Sequence, residues 1–260
     1  PPKVFASPVG LRRSRAVVSW SVAMKIGHTR RNFLCAAGGG LLGGAAALAQ
    51  IPEYRRGGMV YRRLGQTDLW LSLLSFGSHT DPADRVRAGP RRTVLTEQGQ
   101  ARRDRIIQNA FDLGVNLLDV YDSEGQWEPA ARLVKDRRQN VLISLAHEIT
   151  PPEIERACSL FGHVDLYRFH TGEIDDATLH HWDVLRKAKA AGKIRATGIA
   201  THIERTMSDA LEQLEGLDFI FFPYNFIHAR ADYSQFLPEA IVKGVGLIAM
   251  KPLASGSIMK

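Results

Sequence analysis

The residues of this chain that can move protons or bind ligands recur at one kind of place, the end of a short apolar run. In chain order they are His79, Asp119 with Tyr121, His147 with Glu148, His170, Thr201 with His202, Asn225 with His228, and Lys251. Imidazoles change charge near neutrality and serve as general acids, general bases and hydrogen-bond donors. A carboxylate held beside a phenol or an amine orients it and tunes its charge. The same imidazoles, His79, His147, His170 and His202, together with Glu148, could instead ligate zinc, manganese or iron. Neither H-x-H nor H-E-x-x-H spacing occurs to support that. One such histidine would ordinarily be a packed or hydrated loop residue. Most of the nine histidines standing at equivalent positions imply a shared polar pocket.

The runs that carry these residues are 71–76, 115–120, 141–145, 164–169, 195–200, 218–222 and 245–250. Between them, 102–113, 129–134, 152–160, 177–191, 206–214 and 234–243 show helical periodicity, and several stop at a glycine suited to a C-terminal cap (Gly114, Gly192, Gly244). Short, non-alternating apolar strands that alternate with helices mean a parallel sheet covered on its outer face. Seven repeats approach the eight of a (β/α)8 TIM barrel, an α/β fold; an open doubly wound sheet is the alternative. In a barrel, the C-terminal ends of the strands form one mouth, which gathers the polar residues. Residues 50–58 read as a linker, 60–74 as a hairpin turning at Gly65-Gln66-Thr67-Asp68, and 80–100 as a long, arginine-rich polar loop. The given chain stops at Lys260, just after the seventh strand, so the C-terminal unit of the barrel is expected to be missing from it.

Residues 1–49 read differently. Gly38, Gly40 and Gly43 satisfy G-x-G-x-x-G, but no strand precedes them, and an alanine-rich stretch and Pro52 follow, so the dinucleotide fingerprint fails on context. Thr29-Arg30-Arg31-Asn32-Phe33-Leu34, then an apolar run of small residues, then Ala47-Leu48-Ala49 before Gln50, reads as a twin-arginine signal peptide with its cleavage site. That implies the twin-arginine translocase as a partner, a periplasmic destination, and residues 50–260 as the mature domain. The segment is too short and glycine-rich for a stable membrane span. Met24 is the expected start, with residues 1–23 an upstream segment. The chain carries a formal charge of +7, yet residues 1–49 hold seven bases and no acid, leaving 27 of each in the remainder. The high isoelectric point is therefore no sign of nucleic-acid binding. Of two cysteines, Cys35 lies in the leader, so Cys158 has no internal disulfide partner in the mature domain.

From Val60 onward the chain resembles the aldo-keto reductases. The stretches YRRLGQTDLWLSLLSFGS, GVNLLDVYDSEGQWE, HVDLYRFH, AGKIRATGIATH, FFPYN and GVGLIAMKPLASG carry the resemblance. It implies a barrel that reduces a small-molecule carbonyl with NADPH, bound at the barrel mouth without a separate nucleotide domain. It also implies a tetrad of Asp, Tyr, Lys and His, in which the tyrosine protonates the carbonyl oxygen, the lysine and histidine ease its ionisation, and the aspartate orients the lysine. Asp119 matches the aspartate and His170 the histidine. The tyrosine position holds Glu124 and the lysine position Ala146, so the tetrad is degenerate. Tyr121, two residues past Asp119, is the candidate replacement acid, against a packed aromatic. His147, next to Ala146, is a candidate replacement for the lysine charge. For the cofactor the resemblance implies Thr201, Tyr224, Asn225, Lys251, Pro252 and Leu253, with Phe221 where the family has glutamine. Lys251, ending the seventh strand, offers another cation to the site, against a phosphate contact or a salt bridge. A barrel that binds a nucleotide or partner without catalysis, and a metal-dependent enzyme, remain the alternatives.

Overall fold

The computed structural model describes residues 52–225, 236–254 and 257. The signal segment, Gly38–Gly43, Cys35, His228 and the proposed cleavage site lie outside the described residues. The described chain begins with three short antiparallel strands, β1 (Glu53–Arg56), β2 (Met59–Arg63) and β3 (Trp70–Ser72). Strand β1 occupies what the sequence reads as a linker. Paired to β2 from Glu53↔Arg62 to Arg56↔Met59, it is exposed at every residue, so no apolar pattern marks it.

A second hairpin, β4 (Arg85–Arg87) with β5 (Thr93–Leu95), lies within the arginine-rich stretch expected to be a loop. Its strands are three residues each, too short for periodicity to reveal. Helix α1 (Glu97–Asp112) starts earlier than the apolar pattern suggests, because the Thr96 side chain accepts the Gly99 N–H and caps it.

From there strand and helix alternate: β6 (Leu117–Val120), α2 (Trp127–Val134), β7 (Leu142–Ala146), α3 (Pro151–Phe161), β8 (Val164–His170), α4 (Asp176–Ala190), β9 (Ile194–Ala200), α5 (Glu204–Gln213), β10 (Phe219–Pro223), α6 (Phe236–Val242) and β11 (Gly246–Met250). Thr150 caps α3, which opens on two prolines, and Asp175 caps α4. Gly114, with φ +95°, makes the turn from α1 into β6 that a side-chain-bearing residue would enter only under strain.

The six strands β6 to β11 form one parallel sheet in sequential order. Unreversed order belongs to a barrel; a doubly wound sheet reverses direction at a switch point. The first barrel strand expected at 71–76 is divided. Leu71 and Ser72 pair back to β2, Leu73 and Leu74 turn outward into solvent, and only Phe76 joins the parallel sheet, bridging to Leu118.

Alternation along the strands sorts side chains between two apolar clusters. Leu118, Val120, Ile143, Leu145, Tyr167, Ile199 and Ile220 face the helices. Leu117, Leu166, Ala196, Phe219 and Phe221 face the lumen, where Leu64, Leu69 and Leu71 of the N-terminal hairpin pack against them. That hairpin is tied on by the Gln66 N–H to the Gly244 carbonyl at 3.0 Å. It stops the N-terminal end of the lumen, and chemistry is left to the opposite end.

Candidate active site

Asp119, Ser144 and Arg168 take lumen-facing positions near the C-terminal ends of β6, β7 and β8, and are buried. Register brings them together: Asp119 lies opposite Ser144, and Arg168 opposite Ala146. The Arg168 guanidinium donates to both Asp119 oxygens, Nη1 to Oδ1 at 2.6 Å and Nη2 to Oδ2 at 2.8 Å. Nη1 also donates to Ser144 Oγ at 2.7 Å, and Ser78 Oγ donates to Asp119 Oδ2 at 3.0 Å. The guanidinium lies 3.9 Å from the Phe221 ring centroid, an arrangement that favours a cation held away from water. On β9 the neighbouring position is Gly198, whose missing side-chain space is filled by Phe219, so that strand adds no group to this layer. Burial pushes the Arg168 pKa down, but Asp119 and, after it, Tyr121 more than offset it, and the net shift is upward.

Tyr121 follows β6 at the rim. Its hydroxyl accepts from Arg168 Nη2 at 3.5 Å, and its ring meets His79 and His170 edge-on at centroid distances of 5.4 and 6.4 Å. His170 closes β8 two residues beyond Arg168 and so projects to the same side. Partial desolvation, then the positive charge of Arg168, holds its imidazole below the ordinary histidine value. It is therefore neutral at neutral pH, with an N–H to donate. His202 is likewise lowered by desolvation and Lys251, and Lys251 Nζ donates to its Nε2 at 2.8 Å.

The structure gives several of these residues partners that the sequence did not disclose. His147 is not beside Tyr121: its Nε2 pairs with Glu153 at 3.2 Å and its ring stands edge-on to Trp127 at 5.0 Å. These contacts set it toward α2 and α3, and it also lines the depression beside His170. The reason is alternation, since His147 comes one residue after lumen-facing Ala146. Glu124, in the tyrosine position, is a buried structural carboxylate. It accepts from Thr80 N at 2.6 Å, Thr80 Oγ1 at 2.5 Å and His79 Nδ1 at 2.8 Å, and pairs with Arg85 at 3.2 Å. Burial alone would raise its pKa; these partners outweigh it and hold the carboxyl below the usual range. The histidines gather only in part: His79 and His170 meet the Tyr121 ring, and His147, His170 and His181 line one depression. Among the described residues no group of three or more His, Cys, Asp or Glu could hold a metal ion, and His79, His147 and His202 each have a different partner.

Sequence reading missed Arg168 and Arg103. Buried Arg103 of α1 donates to the carbonyls of Gly77, Ser78 and His79, which fixes the turn that carries Ser78 and His79. Both were legible in part. An arginine two residues before a strand-end histidine must share its face, and Arg103 recurs with Ile107 and Phe111 on the buried stripe of α1.

The residues implied for a cofactor follow three adjacent strands. Thr201, after β9, is buried and its hydroxyl accepts the Ile203 N–H at 3.2 Å. Tyr224, after β10, exposes its ring, and Asn225 is buried. Lys251, after β11, has φ +56°, and Pro252 and Leu253 beside it are exposed. Between β7 and β8 an open depression of about 450 Å³ is lined by Ala146, His147, Glu148, Ile149, Thr150, Phe169, His170 and His181.

The fold is similar to solved aldo-keto reductases. A Pseudomonas aeruginosa protein provisionally assigned as one is 20% identical, with a TM-score of 0.61 over 76% of this chain and 80% of its own. The holo form of aldo-keto reductase AKR11C1 from Bacillus halodurans is 22% identical, with a TM-score of 0.60 over 75% of this chain and 67% of its own. The thermostable aldo-keto reductase Tm1743, in complex with the inhibitor epalrestat, is 20% identical, with a TM-score of 0.60 over 75% of this chain and 74% of its own. No curated protein matches the sequence. The sequence profile described as "Aldo/keto reductase family" matches residues 94–260, more than half of the chain. With a parallel barrel sheet that carries Asp119, Tyr121 and His170 to one mouth, this chain belongs to the aldo/keto reductase family.

Proposed function

We propose that the protein reduces the carbonyl group of a small molecule with NADPH, in a site remodelled from that of its family. The observation that carries this is the convergence of Tyr121 and His170 at one mouth, with rings 6.4 Å apart, above Asp119. The turns after β9, β10 and β11 suit a nicotinamide nucleotide: Tyr224 offers an exposed ring face for stacking, Thr201 and Asn225 offer polar groups for a carboxamide, and Lys251 offers a cation. Bound there, the reduced nicotinamide supplies hydride to the carbonyl carbon.

Tyr121 gives its phenolic proton to the carbonyl oxygen, and His170, being neutral, donates a hydrogen bond to the same oxygen. The alcohol departs and the phenol regains its proton from water. The depression beside His170 is the side from which substrate enters. Purified full-length protein should quench or shift NADPH fluorescence and consume NADPH with members of an aldehyde and ketone panel. Neither binding nor consumption would reject the reading. Binding without turnover would select the second reading, a nucleotide-binding barrel, which the loss of the family tyrosine and lysine at Glu124 and Ala146 favours.

Export by the twin-arginine route is part of the same proposal, resting on Thr29–Leu34 and Ala47–Gln50. Arg30→Lys with Arg31→Lys should hold precursor in the cytoplasm, because paired guanidinium groups are not interchangeable with ammonium groups. Equal periplasmic yield from the double mutant would reject it.

A further inference from the structure

We propose that Arg168 is the positioning cation of this active site, supplying from β8 the positive charge that the missing lysine on β7 no longer supplies. The inference rests on the reductase reading above and adds a residue to it. Its first support is register. Ala146, at the family's lysine position, lies directly opposite Arg168, so the charge is displaced by one strand at the same height in the barrel. The second is contact: Arg168 joins Asp119, at 2.6 and 2.8 Å, to the Tyr121 hydroxyl at 3.5 Å. An aspartate that orients a cation, and a cation that faces the acid's oxygen, is the relation the absent lysine would have had. The third is accommodation. The small side chain of Ala146 and the flat face of Phe221, 3.9 Å away, leave a slot that a planar guanidinium fills.

The consequence is that the negative charge left on the Tyr121 oxygen after proton transfer faces a guanidinium, whose charge persists far into alkaline pH, where an ammonium group is losing its proton. The groups around that guanidinium are Asp119 and Tyr121 from β6 and the turn after it, Ser144 from β7, His170 from its own strand and Phe221 from β10. Arg168 touches no substrate atom. It acts through Tyr121.

Three variants of the full-length protein test this: Arg168→Leu, Arg168→Lys, and Arg168→Leu with Ala146→Lys, which returns the cation to the neighbouring strand. Arg168→Leu should lower kcat by about 10²–10³, the range of a lost charge-stabilising group, with carbonyl KM and NADPH Kd within about threefold of the parent. The relocated lysine should restore kcat at least about tenfold over Arg168→Leu, and its activity should begin to fall at a lower alkaline pH than the parent's, because lysine titrates earlier. Folded Arg168→Leu with kcat within about threefold of the parent would overturn the proposal. So would a relocated lysine that restores the melting temperature but not kcat. If Arg168→Leu does not fold, Arg168→Lys decides: an earlier alkaline fall supports the proposal, and a profile identical to the parent's overturns it. A parent that consumes no NADPH with any carbonyl rejects the reductase reading itself, and this inference with it. An active parent with an equally active Arg168→Leu removes only the role of Arg168.

Discussion

Asp119→Asn is expected to cost about 3–5 kcal/mol of folding stability, the penalty for leaving one member of a buried ion pair without its counter-charge. Arg168 is 1% exposed and Asp119 7% exposed, so water cannot take the place of the lost carboxylate. The amide keeps one acceptor oxygen but is uncharged, and it puts an NH2 donor where the second carboxylate oxygen accepted from a guanidinium that is itself all donors. Ser144 Oγ, the Tyr121 hydroxyl and the Phe221 face would remain to the guanidinium, and none is a carboxylate. Removing both partners, Asp119→Asn with Arg168→Met, should recover most of the loss, because no uncompensated charge then remains. Denaturant unfolding of the two single variants and the double variant measures the coupling. A single-variant cost below about 1 kcal/mol would mean that solvent reaches the guanidinium and the pair is not a buried one. Turnover should fall in the same variant, since Asp119 fixes the cation that faces Tyr121.

The second large effect is on chemistry. His170→Ala should reduce carbonyl reduction by about 10²–10⁴ while leaving NADPH affinity nearly unchanged, because in the proposed mechanism the imidazole faces the carbonyl oxygen and the residues proposed for the nucleotide follow different strands. Steady-state kinetics and fluorescence titration on one preparation separate the two quantities. Unchanged turnover would remove His170 from the mechanism. The pH dependence has a definite sign. His170 is held below the ordinary histidine value, by desolvation first and by the charge of Arg168 second. Activity that needs the neutral ring should persist below about pH 6.5, the ordinary histidine value, and fall as pH drops through the lowered one. Stability follows the same direction. The unfolded chain binds a proton at this residue more readily, so the native state loses stability as pH falls from the ordinary value through the lowered one.

The alternation of apolar strands with capped helices was legible because it is local: side chains two apart on a strand and three or four apart on a helix sort themselves by burial. That alone placed β6 to β11 and the helices between them to within a few residues, and with them the strand-end positions of Asp119 and His170. Strand β1 and the hairpin of β4 with β5 escaped it, being solvent-facing or only three residues long. What the chain's order could not disclose was partnership. Arg168 and Asp119 are 49 residues apart, and only the register of β6, β7 and β8 puts a guanidinium against that carboxylate. Glu124 could be read as a failed catalytic position from sequence, but its work, holding Thr80, His79 and Arg85, depends on how the turn after Phe76 folds back over the mouth. His147 follows Ala146 by one residue, and that step turns it to Glu153 and Trp127 at the edge of the depression it shares with His170. Composition and periodicity thus determined which residues reach the mouth of the barrel. Which of them touch was decided by strand register, because burying a charge is tolerable only where a neighbouring strand delivers its counter-charge at the same height.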